Sequence, residues 1–433
     1  MEPSQFNIFL PSDKEDQEIL INSLSRTLCE LPHDVAEAVR SRGSLSSDME
    51  QALRGIEVLT DSPEEQLEVA LQSFRAEQSN IRDLNVVIPL TSKCNLKCSY
   101  CYQVLHGDFQ GESAAEIADW KPDTIDRLVK FVRNELEQTN YEGVRIRWYG
   151  GEPLLRLDLI ESIGELIKRE TEAFGRRLSG MVVTNGVLIS EKAIRLLKRF
   201  KVDRLEISVD GPQHTHDLLR ASRSGRSTYD EILRSVVNAA DHFETIVFRV
   251  NVHSKNAEEI NDWLYIVAPT ITKPNVFLKF KLVEGDKTND LDYQAFAALT
   301  LEYSYTAKEL GLNLLQKRLA TETCPAIRQN YFIVQSDLKV YKCPQNLGSG
   351  NNVGHIGSTG ALETNWRMAH WTGYDVANNS DCSSCAHLPH CNGGCPYNEI
   401  MHTINSRALK VYNRKERCCR EKLVPELLLP RLV

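Results

Sequence analysis

Three cysteines lie close together in the first third of the chain, at Cys94, Cys98 and Cys101, with three and two residues between them. Thiolates are the usual ligands of iron–sulfur clusters, and a cubane cluster that receives only three keeps one iron open. A catalytic zinc site also combines thiolates with an open position, so zinc is the alternative. A buried helical stripe of cysteines is disfavoured, because charged residues such as Lys93 and Lys97 interrupt any apolar face.

A second group of cysteines lies between residues 324 and 419, and none occurs in the more than two hundred residues that separate the two groups. Dense cysteine spacing in a reducing compartment indicates metal or cluster ligands rather than disulfides. Two structural zinc sites are one interpretation, because CxxC is also a zinc signature. The members of this group are Cys324, Cys343, Cys382, Cys385, Cys391, Cys395, Cys418 and Cys419.

Six short runs rich in β-branched and aromatic residues begin near residue 85, and amphipathic stretches separate most of them. Strands that alternate with helices at this spacing predict βα units and a mainly parallel sheet. Six such units predict an α/β fold with a partial (β/α)6 barrel, whose functional loops follow the strands. The runs are residues 85–91, 144–150, 180–185, 204–210, 245–252 and 276–283.

The character of the sequence changes twice and predicts three domains. Residues 1–80 are charged, carry helical patterns and include a possible strand at residues 6–10, which predicts a small N-terminal α+β domain. Residues 83–315 hold the barrel. Residues 322–433 consist of short segments rich in Gly, Asn, Pro and Cys, with too few apolar runs for a core of their own. We expect this C-terminal cysteine-rich domain to fold around metal.

Composition disfavours several classes of function. The 433 residues carry a formal net charge of −8 and the pI is about 5.8, which argues against nucleic acid or an anionic membrane as a partner. No stretch approaches the roughly 18–20 apolar residues that span a bilayer. The acidic N-terminus lacks the basic and apolar regions of a signal peptide. We therefore expect a cytoplasmic protein.

The first cysteine motif resembles that of the radical S-adenosylmethionine (SAM) superfamily, in which CxxxCxΦC follows the first strand of a βα barrel and Φ is aromatic. Motifs after the next three strands match in order: residues 150–153 resemble the family's GGEP, and residues 184–186 and 208–211 follow. The resemblance implies that glycines let the backbone approach the cofactor and that the glutamate accepts from its ammonium group. Two arginines are candidate partners of the methionine carboxylate. The cofactor-binding residues so implied are Tyr100, Gly150, Gly151, Glu152, Asn185, Ser208, Asp210, Arg220 and Arg249.

The chemistry implied by the resemblance is specific. A [4Fe–4S] cluster on Cys94, Cys98 and Cys101 binds S-adenosylmethionine at its open iron. One electron from the reduced cluster breaks the S–C5′ bond and yields methionine and a 5′-deoxyadenosyl radical, which abstracts a hydrogen atom from substrate. The protein then has to orient the cofactor and exclude water and stray hydrogen donors.

The second cysteine group resembles the SPASM extension of the same superfamily, an iron–sulfur domain that binds auxiliary [4Fe–4S] clusters in enzymes that modify peptides and proteins. By that family's interleaved pattern, Cys324, Cys343 and Cys395 hold the nearer of two clusters. Fully ligated members carry a further cysteine between the first two of these positions, and its absence here leaves one iron open for a substrate thiolate or a non-Cys ligand. The ligands implied for the farther cluster are Cys382, Cys385, Cys391 and Cys418, with Cys419 as the alternative to Cys418.

Together these resemblances imply a maturase that acts on a ribosomally made precursor peptide and forms a crosslink, foremost a thioether from a substrate cysteine. Carbon–carbon crosslinking, epimerisation and backbone excision are alternatives on the same scaffold. The N-terminal domain is expected either to bind the leader peptide, with residues 6–10 as the strand that receives it, or to cap the barrel. A flavodoxin or ferredoxin is expected to supply the electron.

Two other functions stay open from the sequence. Family members that mature sulfatases carry an Asp directly after the cysteine that corresponds to Cys343, and Pro344 in this chain disfavours that activity. A non-catalytic iron–sulfur or zinc protein is the other alternative. A protein that only carries electrons needs neither GGEP nor the spacing of the first three cysteines, and the presence of both argues against this non-catalytic alternative.

Overall fold

The computed structural model describes residues 1–101, 119–284, 286, 288–315 and 323–404. These residues form two compact units. The terminal unit joins residues 1–80 to residues 323–327 and 373–404. The barrel unit comprises the described residues of 81–315 together with residues 328–372. Cys418 and Cys419 lie outside the described residues, and the predicted division into three domains stays a prediction.

The first 80 residues of the terminal unit form a small sheet and three helices, an α+β arrangement. In chain order the elements are β1 (Glu2–Pro3), β2 (Asn7–Pro11), β3 (Gln17–Asn22), β4 (Thr27–Pro32), α1 (His33–Ser41), α2 (Ser47–Gly55), β5 (Leu59–Thr60) and α3 (Pro63–Gln78). β3 lies between β2 and β4 in an antiparallel sheet, and β1 pairs with β5. The strand predicted at residues 6–10 is present as β2, at an edge of its sheet.

This three-stranded sheet is apolar on both faces. Leu20 and Leu31 lie in a buried cluster with side chains of α1 and α2. Ile8 and Ile21 lie in a second cluster, which packs against Ala386 of the cysteine-rich segment. A sheet with one solvated face alternates apolar and polar residues, so this pattern is that of a sheet covered on both sides.

The barrel unit alternates strands with helices. Its elements up to residue 315 are β6 (Asp83–Pro89), α4 (Pro122–Gln138), β7 (Gly143–Tyr149), α5 (Leu157–Ala173), β8 (Arg177–Thr184), α6 (Glu191–Arg199), β9 (Val202–Val209), α7 (Gln213–Leu219), α8 (Tyr229–Ala240), β10 (Thr245–Val252), α9 (Ile260–Val267), β11 (Val276–Leu282), α10 (Tyr293–Glu309) and β12 (Asn313–Leu314). β6 to β11 lie side by side in chain order and are parallel. The predicted α/β fold with a partial barrel of six parallel strands is therefore confirmed.

Successive side chains of a strand point to opposite faces of the sheet. On β10, Phe248 and Val250 are fully buried, and the Phe248 ring contacts Trp263 of α9 with the ring centroids 6.2 Å apart. Arg249 and Asn251 alternate with them and face the other side, here called the inner face. The helices thus cover one face of the sheet, and the polar residues of the barrel strands lie on the inner face.

Four further strands extend the sheet beyond β6. These are β13 (Tyr331–Val334), β14 (Lys339–Tyr341), β15 (Gly354–Ile356) and β16 (Leu362–Thr364), and α11 (Arg367–Thr372) follows them. β13 pairs with β6 in parallel, and the next three strands continue as an antiparallel meander. Lys342 is fully buried behind β14, and its Nζ donates to the backbone oxygen of Tyr331 at 2.6 Å, which anchors this extension.

The last described residues return to the terminal unit as α12 (Ser380–Ser383), α13 (Leu388–Cys391) and α14 (Pro396–Ile404). Two side chains near the start of the chain hold this segment. The Gln5 amide donates to the backbone oxygen of Ser383 at 3.1 Å, and the Ser23 hydroxyl donates to that of Ala386. In the described part of the chain, no helix combines the length and apolar character needed to cross a membrane.

We expect Phe248→Ala to destabilise the barrel unit by about 3–5 kcal/mol, because it leaves a cavity beside Trp263. Tyr265→Ala is the matched control, since Tyr265 lies on the same helix as Trp263 but is 55% exposed. It should change stability by less than about 0.5 kcal/mol. Urea unfolding followed by circular dichroism measures both. Equal unfolding midpoints for the two variants would contradict this packing.

Candidate active site

The loop that carries the first three cysteines follows β6. Its backbone is hydrogen-bonded to the end of α7 and to the segment that follows, because the Ser99 N–H donates to the carbonyl oxygen of Leu219 (2.9 Å) and the Lys97 N–H to that of Ala221 (2.8 Å). Leu96 is only 2% exposed and anchors the middle of the loop. The loop therefore holds three partly exposed thiols at the carboxyl end of the first barrel strand, those of Cys94, Cys98 and Cys101.

Two glycines after β7 pack directly against this loop. The Gly151 N–H donates to the carbonyl oxygen of Thr91 at 2.7 Å. A Cβ atom on Gly151 would lie 2.4 Å from the Lys93 oxygen, and one on Gly150, whose φ is +128°, would lie 2.5 Å from the Thr91 oxygen. The resemblance implies that these glycines admit the cofactor. In the structure, the atoms that leave no room for a side chain at these two glycines are backbone oxygens of the cysteine loop.

The Glu152 carboxylate is fully buried and connects the loops after β7 and β8. Its Oε1 accepts from the Leu154 N–H (3.0 Å) and the Thr184 hydroxyl (2.8 Å), and its Oε2 accepts from the Asn185 N–H (2.8 Å). Its backbone N–H donates to the Lys93 oxygen at 3.0 Å. Burial raises the pKa of this carboxyl, and its hydrogen-bond donors oppose the rise. Glu152 thus positions the loops, whereas the resemblance implies a contact with the cofactor's ammonium group.

Asn185 connects the loop after β8 to the first cysteine. Its Nδ2 donates to Asn95 Oδ1 at 2.7 Å and lies 3.7 Å from Cys94 Sγ, and the Leu96 N–H lies 3.4 Å from the same sulfur. Such N–H groups stabilise a thiolate and tune a bound cluster. Burial raises the pKa of Cys94, and it raises the pKa of Cys98 to about 11. At neutral pH these thiols need a metal to become thiolates.

A polar network lies beside the cysteine loop. The Tyr100 hydroxyl donates to Asp210 and accepts from Arg220 Nη1 at 2.8 Å, and Arg220 forms an ion pair with Asp210 at 3.9 Å. Asn251 Nδ2 donates to Asp210 Oδ1 at 2.9 Å and lies 3.2 Å from the Tyr100 hydroxyl. The backbone N–H of Asp210 donates to Nδ1 of the buried His216 at 3.2 Å. Buried charges of this kind persist only when paired and hydrogen-bonded.

Asn251 is not among the residues predicted from the sequence. The available signal was its position near the carboxyl end of β10, in the layer where the other site residues follow their strands. The structure brings Tyr100, Asp210 and Arg220 together, and all three were predicted. Arg220 Nε is buried and makes no hydrogen bond within the described ranges, so it can still serve an anionic ligand.

Arg249 and Ser208 face the inner side of neighbouring strands, where they are paired in register. Arg249 Nε donates to Asn251 Oδ1 at 2.9 Å, and its Nη1 lies 3.3 Å from Glu206 Oε1. Both contacts are to the protein's own inner face. Of the two arginines predicted as partners of the cofactor carboxylate, Arg220 therefore lies in the network, while Arg249 lies deeper along the strands.

The described cysteines of the second group belong to both units. Cys343 follows β14 in the barrel unit, and Cys324 lies in the terminal unit. The segment that holds the next four is a series of tight turns: residues 392–394 all have positive φ, between 52° and 80°. Such turns leave little apolar core and suit a segment folded around metal. These four are Cys382, Cys385, Cys391 and Cys395, and the ligand sets predicted for this group stay predictions.

The first site fits an iron–sulfur cluster and its cofactor. Cys94, Cys98 and Cys101 would hold the cluster, N–H donors lie near the Cys94 sulfur, and Arg220 offers a buried cation. Across the described ranges, no three Cys, His, Asp or Glu side chains converge on a position for a single metal ion. A cubane instead takes its thiolates at separate corners. When bound, cluster and S-adenosylmethionine supply one-electron bond cleavage, and the loops described above orient them.

Residues 88–264 match the model of the radical SAM superfamily. This range contains the three cysteines and Glu152. It also contains the polar network of Tyr100, Asp210, Arg220 and Asn251, here called the Tyr100 network. These residues form a radical SAM domain, as the first cysteine motif predicts, and such a domain supports an enzyme. Such a domain implies a [4Fe–4S] cluster and S-adenosylmethionine as cofactors. The non-catalytic alternative does not agree with this finding.

The chain also resembles peptide- and protein-modifying maturases. The serine-type anaerobic sulfatase-maturating enzyme of Bacteroides thetaiotaomicron is 26% identical over 152 residues, which is 35% of this chain and 35% of that relative. The match thus spans about a third of the relative's length. A structure of anSMEcpe with bound AdoMet and Kp18Cys peptide is 21% identical with a TM-score of 0.56, covering 77% of this chain and 99% of that one. Streptococcus suis SuiB is 16% identical with a TM-score of 0.50, covering 91% and 95%. Both structures show the shared fold.

We expect Glu152→Gln to slow S-adenosylmethionine cleavage about 5- to 150-fold. The amide NH2 of the new glutamine would face N–H or O–H groups that donate to the carboxylate in wild type. Leaving such a buried donor without an acceptor costs about 1–3 kcal/mol. Release of 5′-deoxyadenosine under dithionite measures the effect, with iron content determined in parallel. Glu161→Gln on the exposed side of α5 is the control and should behave as wild type. Full activity of Glu152→Gln at normal iron content would refute the positioning role.

Proposed function

We propose that the protein is a radical SAM maturase that abstracts a hydrogen atom from a ribosomally made precursor peptide and forms a crosslink, foremost a thioether. The observation that carries the proposal is the combination in one chain of the radical SAM site with a terminal unit that joins a small sheet to a cysteine-rich segment. The shared fold with the peptide-bound anSMEcpe structure supports a peptide as the substrate.

Auxiliary clusters and an electron donor belong to this proposal. Cys324, Cys343 and Cys395 would bind the nearer [4Fe–4S] cluster of a SPASM-type domain. An open iron on that cluster would bind the thiolate of a substrate cysteine, which is why we favour a thioether. A flavodoxin or ferredoxin would supply the electron, and a cytoplasmic location stays a prediction. The ligands proposed for the farther cluster are Cys382, Cys385, Cys391 and Cys418.

A protein-modifying enzyme of the sulfatase-maturase type is the second candidate, favoured by the similarity to the Bacteroides thetaiotaomicron enzyme. The residue after Cys343 argues against it. Pro344 begins a short 3-10 helix and has no side-chain carboxylate, whereas an Asp stands at this place in the family members with that activity. We therefore rank it second.

The N-terminal sheet supports recognition of a leader peptide. Among the described strands, β2 pairs only with β3, so its other edge presents backbone groups to which a peptide can add as a strand. Pro11 closes the strand and limits the edge to a few residues. The alternative role, a cap on the barrel, would not require this edge.

Anaerobically reconstituted protein should hold about twelve iron atoms, as expected for three [4Fe–4S] clusters. Cys94→Ala should retain about eight, because the auxiliary clusters have their own ligands, yet should form no 5′-deoxyadenosine. With a small peptide encoded beside the enzyme, mass spectrometry should show loss of two hydrogen atoms with wild type only. Cys29→Ala, a half-buried cysteine outside every proposed ligand set, is the control and should match wild type. Cleavage that survives Cys94→Ala would rule out the proposed site.

Hydrogen–deuterium exchange tests the role of the sheet edge. Binding of the precursor peptide should slow exchange of the β2 amides that face outward, because an added strand gives them acceptors. The amides of β3 already pair on both sides and should change little. Protection spread evenly over the 80 residues, or none at β2, would favour the cap.

A further inference from the structure

Four cationic side chains lie together on the inner face of the barrel sheet: Arg147 on β7, Arg204 on β9, Arg249 on β10 and Lys279 on β11. Strand register places them in two pairs, because Arg204 is paired with Thr245 whereas Arg249 is paired with Ser208, four residues further along β9. The two pairs approach each other at Glu206, whose pKa is lowered by both Arg249 and Arg147. Arg147 is paired with Met181, which is paired in turn with Arg204, and Arg249 is paired with Lys279. We call these four residues the basic cluster. It stands out in a chain whose formal net charge is −8.

The basic cluster surrounds a carboxylate that cannot neutralise it. Glu206 is 8% exposed and forms ion pairs with Arg249 at 3.3 Å and Lys279 at 3.6 Å. Burial alone would raise the pKa of Glu206, yet Lys279, Arg249 and Arg147 bring it below the ordinary value. Burial lowers the pKa of Lys279, and Arg249 and Arg204 lower it further against the effect of Glu206. The potential on this part of the inner face is therefore positive.

Arg147 and Arg204 have no ion pair with any residue in the described ranges. Arg204 Nε is buried and has no hydrogen-bond acceptor there, and Arg147 Nε reaches only Met181 Sδ at 3.2 Å, which is a weak acceptor. Asp203, next to Arg204 in sequence, is half-buried, and burial raises its pKa against the influence of Arg145 and Arg204. A bound anion would give the buried Arg204 Nε an acceptor and would pair with the partly exposed guanidinium groups of both arginines.

We propose that the basic cluster binds the side-chain carboxylate of an Asp or Glu in the substrate peptide, close in sequence to the residue that is modified. This inference rests on the proposed function and names the class of peptide. Glu206 lies four residues before Asp210 of the Tyr100 network, about 13 Å along the strand direction. An extended peptide that reaches the network therefore places a residue three or four positions away over the basic cluster. Arginine suits this role because its planar group binds carboxylates in a bidentate manner.

The test is a binding measurement on the full-length, anaerobically reconstituted enzyme. Two end-blocked octapeptides carry the same uncharged fluorophore, one alternating Glu with Gly and the other Gln with Gly. By fluorescence anisotropy at low salt, wild type should bind the Glu peptide at least about tenfold more tightly, and added NaCl should shrink the ratio. The double variant Arg147→Gln/Arg204→Gln should bring the ratio close to one. Arg147→Lys/Arg204→Lys should keep most of it, since the charge remains.

Arg169→Gln/Arg195→Gln removes two exposed arginines from α5 and α6 and is the matched control, with an unchanged ratio expected. Circular dichroism confirms that each variant is folded. Equal binding of both peptides by wild type, or an unchanged ratio in the folded Arg147→Gln/Arg204→Gln variant, would overturn the inference. The peptide-binding ratio is measured without turnover, so its outcome does not depend on catalysis. Failure of the proposed function would instead appear as absence of SAM-dependent peptide modification.

Discussion

The buried carboxylate of Glu152 fixes the relative positions of the loops that make up the site. Removing a carboxylate from water is costly, and it is tolerated here because three donors from two loops surround its oxygen atoms. Those donors can be satisfied together in only one arrangement of the loops after β7 and β8. The same loops position the glycines against the cysteine loop and Asn185 against Cys94. The buried Glu152 carboxylate thus fixes the loops after β7 and β8 relative to each other.

A separate, continuous set of polar contacts runs from Tyr100 into the barrel. Tyr100 bonds to Asp210, Asp210 to Asn251, Asn251 to Arg249 and Arg249 to Glu206, all on loops or on the inner face of β9 and β10. Arg249 therefore links Asn251, at the cofactor end of the inner face, to the basic cluster. A ligand that displaced the Arg249 side chain would also disturb Asn251, because Arg249 is hydrogen-bonded to it.

Part of this arrangement can be read from the sequence, and part cannot. The cysteine spacing, GGEP and the alternation of strands with helices are local patterns, and they predicted the barrel and most site residues. The cross-strand partners of Glu152 and Arg249 could not be read in this way, since Thr184, Asn185 and Glu206 reach these side chains only through the pairing of neighbouring strands. Strands β13 to β16 are three or four residues long, too short for a periodic signal, so nothing in the sequence indicated that they extend the sheet from β6.

The terminal unit has a consequence for synthesis on the ribosome. Its sheet uses Ile8 and Ile21 to pack against a segment near the other end of the chain, and Ser23 and Ala386, which are hydrogen-bonded, lie 363 residues apart. At 5–20 residues per second, roughly 20–70 s pass between translation of the two partners. For that interval the nascent sheet has an uncovered apolar face and free strand edges, which are the features that chaperones bind and that aggregation exploits. Production of the enzyme would then depend on translation speed and chaperone supply as well as on iron.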